Sequence, residues 1–378
     1  MKEMVPILTV TGSDSTGGAG VQADIRTIAA LGGYALSVVT AVTVQNSQGV
    51  HAMHTLPDEI VVGQLRAIMD DVLPRAMKVG MVRSVGCIRA LAKEVAGCSR
   101  VVFDPGLVSS RGERLADEGA VAVMKGVLLP RVKVLTLKCA EVPMMLGREV
   151  EGVEDMLATA RELLSMGPEA VLLQGGRCSE GVVTDVLVME GVEEPVFFTS
   201  PDTVGWNLHG VGGTLSSAIA TFLGQGDGVE VAVRRAHQYL LARVVFSVDS
   251  SRGWRSVGLR CVESAPSVSS RQVELYNQLM ALVAEHYGEA RDVAFYAEKM
   301  CVTAKYLSQI TRRITGKSPK QVIADYLMRE VERVLTSTSL TVQEIAYRYG
   351  FASQSLFCKF FHHQRGCSPT EFRNTLFK

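Results

Sequence analysis

No stretch of the sequence approaches the roughly 20 consecutive apolar residues that a membrane-spanning helix needs, so the chain predicts no membrane partner. Its eight cysteines, at 87, 98, 139, 178, 261, 301, 358 and 367, never fall in a C-x-x-C spacing. That argues against a zinc-ligand pattern or a disulfide framework and for a reducing compartment. The apolar run Met1–Val10 has no small-residue cleavage site behind it and reads as a first strand rather than a signal peptide. These absences lead to the expectation of a cytoplasmic protein without a resident metal. Net charge is also lacking, with 39 basic against 39 acidic residues. The zero conceals a gradient. From Arg271 onward there are 15 Lys/Arg and 10 Asp/Glu, about +5, so the residues before it carry about −5. An acidic body with a basic tail implies that only the tail faces a polyanion.

The 378 residues suffice for two or three domains. Up to about residue 262, short Val/Leu/Ile-rich runs alternate with amphipathic stretches. The runs are Val5–Thr11, Ala35–Val44, Arg100–Asp104, Val132–Thr136 and Ala170–Leu173; the stretches include Gly20–Leu31, Glu59–Leu73 and Val153–Met166. This rhythm predicts a parallel-rich sheet with helices on both faces, an α/β domain over 1–262, with ligands at the carboxyl ends of the strands. The small polar segment Ser264–Ser270 (SAPSVSS) predicts a linker, placed at 263–271. Residues 272–378 are poor in glycine and carry long helical periodicities, predicting an all-α domain.

Two segments of that domain share one design. Val293–Met300 is a short amphipathic helix, Cys301–Val302 a turn, and Thr303–Thr315 a second helix; Thr341–Tyr349, Gly350–Phe351 and Ser353–Gln364 repeat the pattern. Thr303 and Ser353 are N-cap residues, and Thr341 opens a capping box with Glu344. A long helix from Ser318–Pro319 to about Leu335 would join the units. Apolar residues of the second helices, Tyr306, Leu307, Ile310 and Ile314 in one and Leu356, Phe357, Phe360 and Phe361 in the other, are expected inside. The remaining faces carry Ala304, Lys305, Ser308, Gln309, Arg312 and Arg313, then Ser353, Gln354, Ser355, Cys358, Lys359 and His362. Such groups suit phosphates and base edges in a major groove of double-stranded DNA. The segments LSQITRRITGKSP and LTVQEIAYRYGFASQSLFCKFFHHQRGCSPTEFRN resemble the DNA-binding domain of the AraC/XylS transcription regulators. The resemblance implies that both recognition helices enter successive major grooves.

In the first domain, Gly12–Asp24 (GSDSTGGAGVQAD) is a Gly-rich stretch between a predicted strand and a predicted helix, where backbone can approach an anion. With TAVTVQNSQG at 40–49, KVGM at 78–81 and HGVGGTLSSAIA at 209–220, it resembles the hydroxymethylpyrimidine and phosphomethylpyrimidine kinases, members of the ribokinase-like superfamily. The resemblance implies that Asp24 and Gln45 bind an aminopyrimidine, with Gly12, Met81 and the region of Leu107 lining the pocket. It also implies that the Gly210, Gly212 and Gly213 backbone forms an anion site. Three positions depart from the family pattern. The family's H-G-T-G-C-T reads HGVGGT, so Gly213 stands where a proton-handling Cys would be, a function typically worth about 10²–10⁴-fold. The family's K-G-G-H reads QGGR, putting Gln174 in place of a phosphate-binding Lys. Its T-P-N-x-x-E has Lys138 for the Asn while keeping Glu141. With recognition groups kept and transfer groups lost, the expectation is a pseudokinase without catalytic residues. It would serve as the receptor of a regulator, sensing hydroxymethylpyrimidine, its phosphate or a pyridine-like ring. The receptor needs no cofactor; ATP and Mg²⁺ enter only in the alternative, an active bifunctional kinase that also binds DNA. Both resemblances imply a homodimer.

Overall fold

The computed structural model describes residues 4–109, 112–116, 118–179, 182–201, 208–245, 255–257, 270–288, 290–338 and 340–375. The chain divides into two compact units, Met1–Ser264 and Ala265–Lys378. The linker expected at 263–271 lies almost wholly outside the described residues.

The strands of the first unit are β1 (Val5–Asp14), β2 (Gly33–Asn46), β3 (Gly49–Thr55), β4 (Ala76–Val79), β5 (Val101–Phe103), β6 (Val134–Lys138), β7 (Ala170–Ser179), β8 (Val182–Met189), β9 (Val192–Pro201), β10 (Leu208–His209) and β11 (Arg255–Ser256). Its helices are α1 (Gly20–Ala30), α2 (Asp58–Met69), α3 (Val85–Glu94), α4 (Glu118–Val123), α5 (Val142–Leu146), α6 (Gly152–Leu164), α7 (Val211–Gly224) and α8 (Val229–Val245). Nine strands form one sheet in the order β3-β2-β1-β4-β5-β6-β7-β8-β9. Neighbours from β2 through β7 run parallel, and β3, β8 and β9 pair antiparallel at the two edges. The five apolar runs named from the sequence are β1, β2, β5, β6 and β7. Not among them are β4, only four residues long, and the edge hairpin β8–β9, whose polar residues break up the apolar signal.

Strand alternation divides the interior in two. Leu8, Val10, Met77, Val79, Val101, Phe103 and Leu135 pack with residues of α2, α3 and α6 on one face. Ile7, Ala76, Val102, Val134 and Leu172 pack with α1, α7 and α8 on the other. Helix α7 is buried from Thr214 to Gly224, which explains its small and apolar composition. The chain leaves β1 first toward β2 and then, on the other side, toward β4. The strand order therefore reverses at β1/β4, where a crevice opens beyond the carboxyl ends.

The second unit comprises α9 (Ser270–His286), α10 (Val293–Lys299), α11 (Ala304–Thr315), α12 (Pro319–Ser337), α13 (Val342–Arg348), α14 (Gln354–Arg365) and α15 (Pro369–Thr375). The expected caps form: Thr303 Oγ1 accepts from Tyr306 N–H, Ser318 Oγ from Gln321 N–H and Ser353 Oγ from Leu356 N–H, and Thr341 and Glu344 bond reciprocally. The helix-turn-helix bends are alike. Val302 N–H donates to Ala297 O in the first and Phe351 N–H to Ala346 O in the second, each five residues back. Both turns need a left-handed residue, Cys301 at φ 52° and Gly350 at φ 67°. Glycine is obligatory at 350, where a Cβ would lie 2.4 Å from Gly288 O. Arg291 donates to Tyr349 O, and its guanidinium lies 3.8 Å from the Phe351 ring centroid, tying the α9–α10 junction to the second bend.

Candidate ligand pocket and DNA-facing helices

A cavity of about 660 Å³ lies at the strand ends of the first unit, within the size range of small-molecule sites. Beta-strand ends supply Thr11–Asp14 from β1, Gln45 from β2, Lys138 from β6 and Gln174 from β7; Gly80 and Met81 follow β4, Asp104 follows β5, and Gly210–Gly213 open α7. The sequence-derived residues Gly12, Gln45, Met81, Gly210, Gly212 and Gly213 all line this cavity. Gly12 and Met81 meet so closely that a Cβ on Gly12 would lie 2.5 Å from Met81 Cε. Asp24 and Leu107 are not on the wall. Leu107 is buried beside Val108, which does line the cavity. Asp24 is 0% exposed one layer down: its Oδ2 accepts from Thr9 Oγ1 at 2.5 Å and pairs with Lys78 Nζ at 2.8 Å. Its Oδ1 has no hydrogen-bond partner and lies 3.4 Å from where a side chain on Gly213 would begin. Asp24 thus stands under the gap that the missing Cys leaves.

The residue that organises the Gly-rich loop is Asp14, which lies inside that motif but is not among the site residues expected from the sequence. Its carboxylate accepts from Thr16 N–H and Ala19 N–H, both at 2.8 Å, and from Thr16 Oγ1. It also bonds His209 Nε2 at 2.7 Å, across 195 residues of sequence. Burial pushes the Asp14 carboxyl up, but the His209 bond and charge and the Thr16 donors outweigh it and bring it down to about 2. His209 Nε2 also lies 3.0 Å from Gln45 Nε2, which brings Asp14, His209 and Gln45 side by side along the wall. Ser15 Oγ bonds both N–H and C=O of Gln45 and fixes it at the end of β2. A ring with donors and acceptors on its edge fits such a wall.

At the other end of the cavity, Asp185 and His237 face each other at 3.7 Å. Burial raises the Asp185 carboxyl to about 6, against the opposing donation from Gly175 N–H, and lowers His237 to about 4. Neither residue carries a motif that marks it in the sequence.

Two positions that the resemblance ties to ATP and Mg²⁺ are uncharged or engaged elsewhere. Gln174, buried on the wall, brings no charge. Glu141 spends its carboxylate on backbone: Oε1 accepts from Leu107 N–H and Val108 N–H, Oε2 from Lys138 N–H. Neither residue offers what phosphoryl transfer asks of its position, a charge on the nucleotide or a free ligand for its metal.

In the second unit, Lys305, Gln309, Arg312 and Arg313 are exposed along α11 with Ala304, and Ser308 is half-buried. On α14, Gln354, Ser355, Lys359 and His362 are exposed, while the capping Ser353 and Cys358 are half-buried. The inward stripes are Leu307, Ile310 and Ile314, and Phe357 and Phe361. Leu356 departs from expectation: it is 52% exposed. The buried stripe of α14 runs through Phe357 and Phe361, one turn apart, and Leu356 lies about 100° off it in the first turn. It belongs with the polar outer face.

A ribokinase-like α/β domain, with its cavity at the strand-order reversal, thus precedes a helical domain of paired helix-turn-helix units. Comparison with known proteins agrees. The phosphomethylpyrimidine kinase model matches residues 14–257, and a helix-turn-helix domain model, of the AraC type, matches 296–375. The chain belongs to the phosphomethylpyrimidine kinase family, here with a DNA-binding helix-turn-helix domain following in the same chain. It is 39% identical over 239 residues to a hydroxymethylpyrimidine/phosphomethylpyrimidine kinase of Streptomyces coelicolor, covering 63% of this chain and 88% of that one. It is 39% identical over 249 residues to a thiamine biosynthesis bifunctional protein of Geobacter sulfurreducens, covering 65% of this chain and only half, 50%, of that relative. The crystal structure of phosphomethylpyrimidine kinase from Clostridium difficile is 34% identical, with a TM-score of 0.55, covering 62% of this chain and 97% of that one. Among the described residues, no helix is long and apolar enough to cross a membrane.

Proposed function

We propose that the chain is a ligand-responsive transcription regulator, with the kinase-fold domain as a receptor for hydroxymethylpyrimidine or its phosphate and the helix-turn-helix domain reading promoter DNA. The observation that carries this reading is the contrast inside one cavity. The Gln45–His209–Asp14 wall for a ring is assembled. At Gly213 there is no side chain to take a proton, and Gln174 offers no charge to a nucleotide. Phosphoryl transfer depends almost wholly on positioning and charge stabilisation, so these losses act where the reaction has least reserve. A receptor needs only differential affinity between two states of the protein, and that requires none of the lost groups.

The test is DNA affinity with and without ligand. Genomic fragments selected on the full chain would be titrated by fluorescence anisotropy in the presence of hydroxymethylpyrimidine or its monophosphate. A change of roughly 5- to 150-fold in affinity, the usual range of allosteric coupling, is the expected result. A ligand that binds without altering DNA affinity overturns the regulatory reading. Turnover of hydroxymethylpyrimidine with Mg-ATP near the enzyme median of about 10 s⁻¹ establishes the bifunctional kinase instead.

A further inference from the structure

The DNA-reading half of the proposed function leaves one half-buried cation without a role. Arg291 lies in the turn between α9 and α10, at the entry to the first helix-turn-helix, yet its guanidinium reaches the bend of the second. It donates to Tyr349 O and lies 3.8 Å from the centroid of the Phe351 ring. A charge-assisted hydrogen bond and a cation–π contact thus converge on Tyr349–Phe351, the residues that turn the chain from α13 toward α14.

The segment just after α9 meets that bend at two further points. Gly288 O faces Gly350 so closely that any side chain there would collide with it. The Tyr287 ring lies 5.9 Å from that of Tyr349 and 5.1 Å from that of Tyr326 on α12. Tyr349 Oη in turn donates to Glu330 O of α12 at 3.2 Å. The two helix-turn-helix units also share α12, against which α11 and α13 both pack. It is a rod of 19 residues, about 28 Å long. A rod sets the distance between its ends more firmly than the twist of what hangs on them. A contact away from its axis sets the twist, and Arg291 makes one from the first unit to the second.

We infer that Arg291 is a positioning residue that fixes the angle between the two recognition helices, α11 and α14, and so sets which spacing of two major-groove subsites the chain accepts. This rests on the DNA-reading half of the proposed function. Successive major grooves on one face of a duplex lie about one helical turn apart, about 10 base pairs or 34–36 Å. One inserted base pair moves a subsite by about 3.4 Å and turns it by about 35°. Two helices held rigidly cannot follow that shift, and they lose the gain from binding together, about 10²–10⁴-fold. Helices held less firmly follow it at smaller cost.

The experiment measures the DNA affinity of the full chain by fluorescence anisotropy. A selected genomic fragment, its two subsites located by footprinting, is compared with the same duplex carrying one base pair inserted between them, and with a duplex holding one subsite alone. The wild type binds the lengthened duplex about 100-fold more weakly. Arg291→Met keeps an apolar stem against Phe351 and removes the charge and the donor. It reduces the penalty to about tenfold or less and leaves the single-subsite affinity within about threefold of the wild type. Arg291→Lys, which retains a cation and a donor, keeps a penalty between those two. An unchanged penalty in Arg291→Met, or an Arg291→Lys penalty no larger than that of Arg291→Met, overturns the inference. Loss of single-subsite binding in Arg291→Met makes Arg291 a folding residue and overturns it as well, as does a wild type indifferent to the inserted pair. Each of these outcomes leaves DNA reading itself standing. A wild type that enriches no genomic fragment overturns both.

Discussion

Removal of the Asp24 carboxylate separates a supporting role from ligand contact. Asp24 and Lys78 form an ion pair at 2.8 Å with side chains 0% and 3% exposed. Asp24→Ala leaves the ammonium buried and unpaired, which typically costs about 3–5 kcal/mol. Thr9 Oγ1 loses its acceptor as well, for about 1 kcal/mol more. The expected loss, about 4–6 kcal/mol, is a large share of the roughly 5–15 kcal/mol that holds a typical domain together. Replacing both charges by apolar groups of similar volume, Asp24→Leu with Lys78→Met, should recover most of it. Urea unfolding followed by far-ultraviolet circular dichroism gives the numbers. A double-mutant cycle should return a coupling near 3 kcal/mol or more. If Asp24→Ala costs less than about 1 kcal/mol, or if the double substitution is as damaging as the single one, the buried-pair reasoning is wrong and Asp24 returns as a candidate ligand contact.

Gly350→Ala forces a Cβ to 2.4 Å from Gly288 O at φ 67°. It should destabilise the second unit by about 2 kcal/mol or more, lowering its melting temperature by roughly 10 °C. Cys301→Gly, in the matching bend at φ 52°, relieves strain and should stabilise the unit by up to about 1 kcal/mol; calorimetry checks both. Acid titration of stability has a worked sign. Asp14, with its folded value about 2 below an ordinary 3.8, favours the native state above pH 3.8. That contribution, about 2 kcal/mol, is lost as pH falls from 3.8 toward 2. His237, lowered from 6.5 to about 4, loses stability as pH falls through that interval, because the unfolded chain takes up the proton first. Asp185, raised from 3.8 to about 6, gains stability over nearly the same fall, because the folded chain takes up the proton first. Melting temperatures of the wild type should therefore change little between pH 6 and 4, whereas His237→Gln should become more stable on acidification across that range. Lys305→Ala should weaken DNA binding on any sequence and reduce the slope of log affinity against log salt by about 1; an unchanged slope removes that contact.

Much was legible in the sequence because its signals are local. Apolar runs of four to ten residues mark the inner strands, of which β1, β5 and β6 are almost wholly buried. A cap read three residues ahead, as at Thr303, Ser353 and Thr341–Glu344, depends on chemistry within a single helical turn. The Gly350 bend is legible for the same reason, since the residue that tolerates φ 67° is named by the sequence itself. The exposed face of α14 was less so. Helical periodicity says that Leu356 and Phe357 cannot share a direction, but only packing decides which of them goes inward.

The sequence by itself determined the alternation of strands and helices in the first unit, the paired helix-turn-helix units of the second, and the glycines, Gln45 and Met81 of the pocket wall, because residue type and short spacing carry those facts. Tertiary structure alone decided which groups meet. It set Asp14 against His209 across 195 residues, sank Asp24 beneath the wall against Lys78, and laid Lys138 beside Gln174 in register. Those pairings follow from strand order and from the interior's intolerance of an unpaired charge, which no short spacing of residues records.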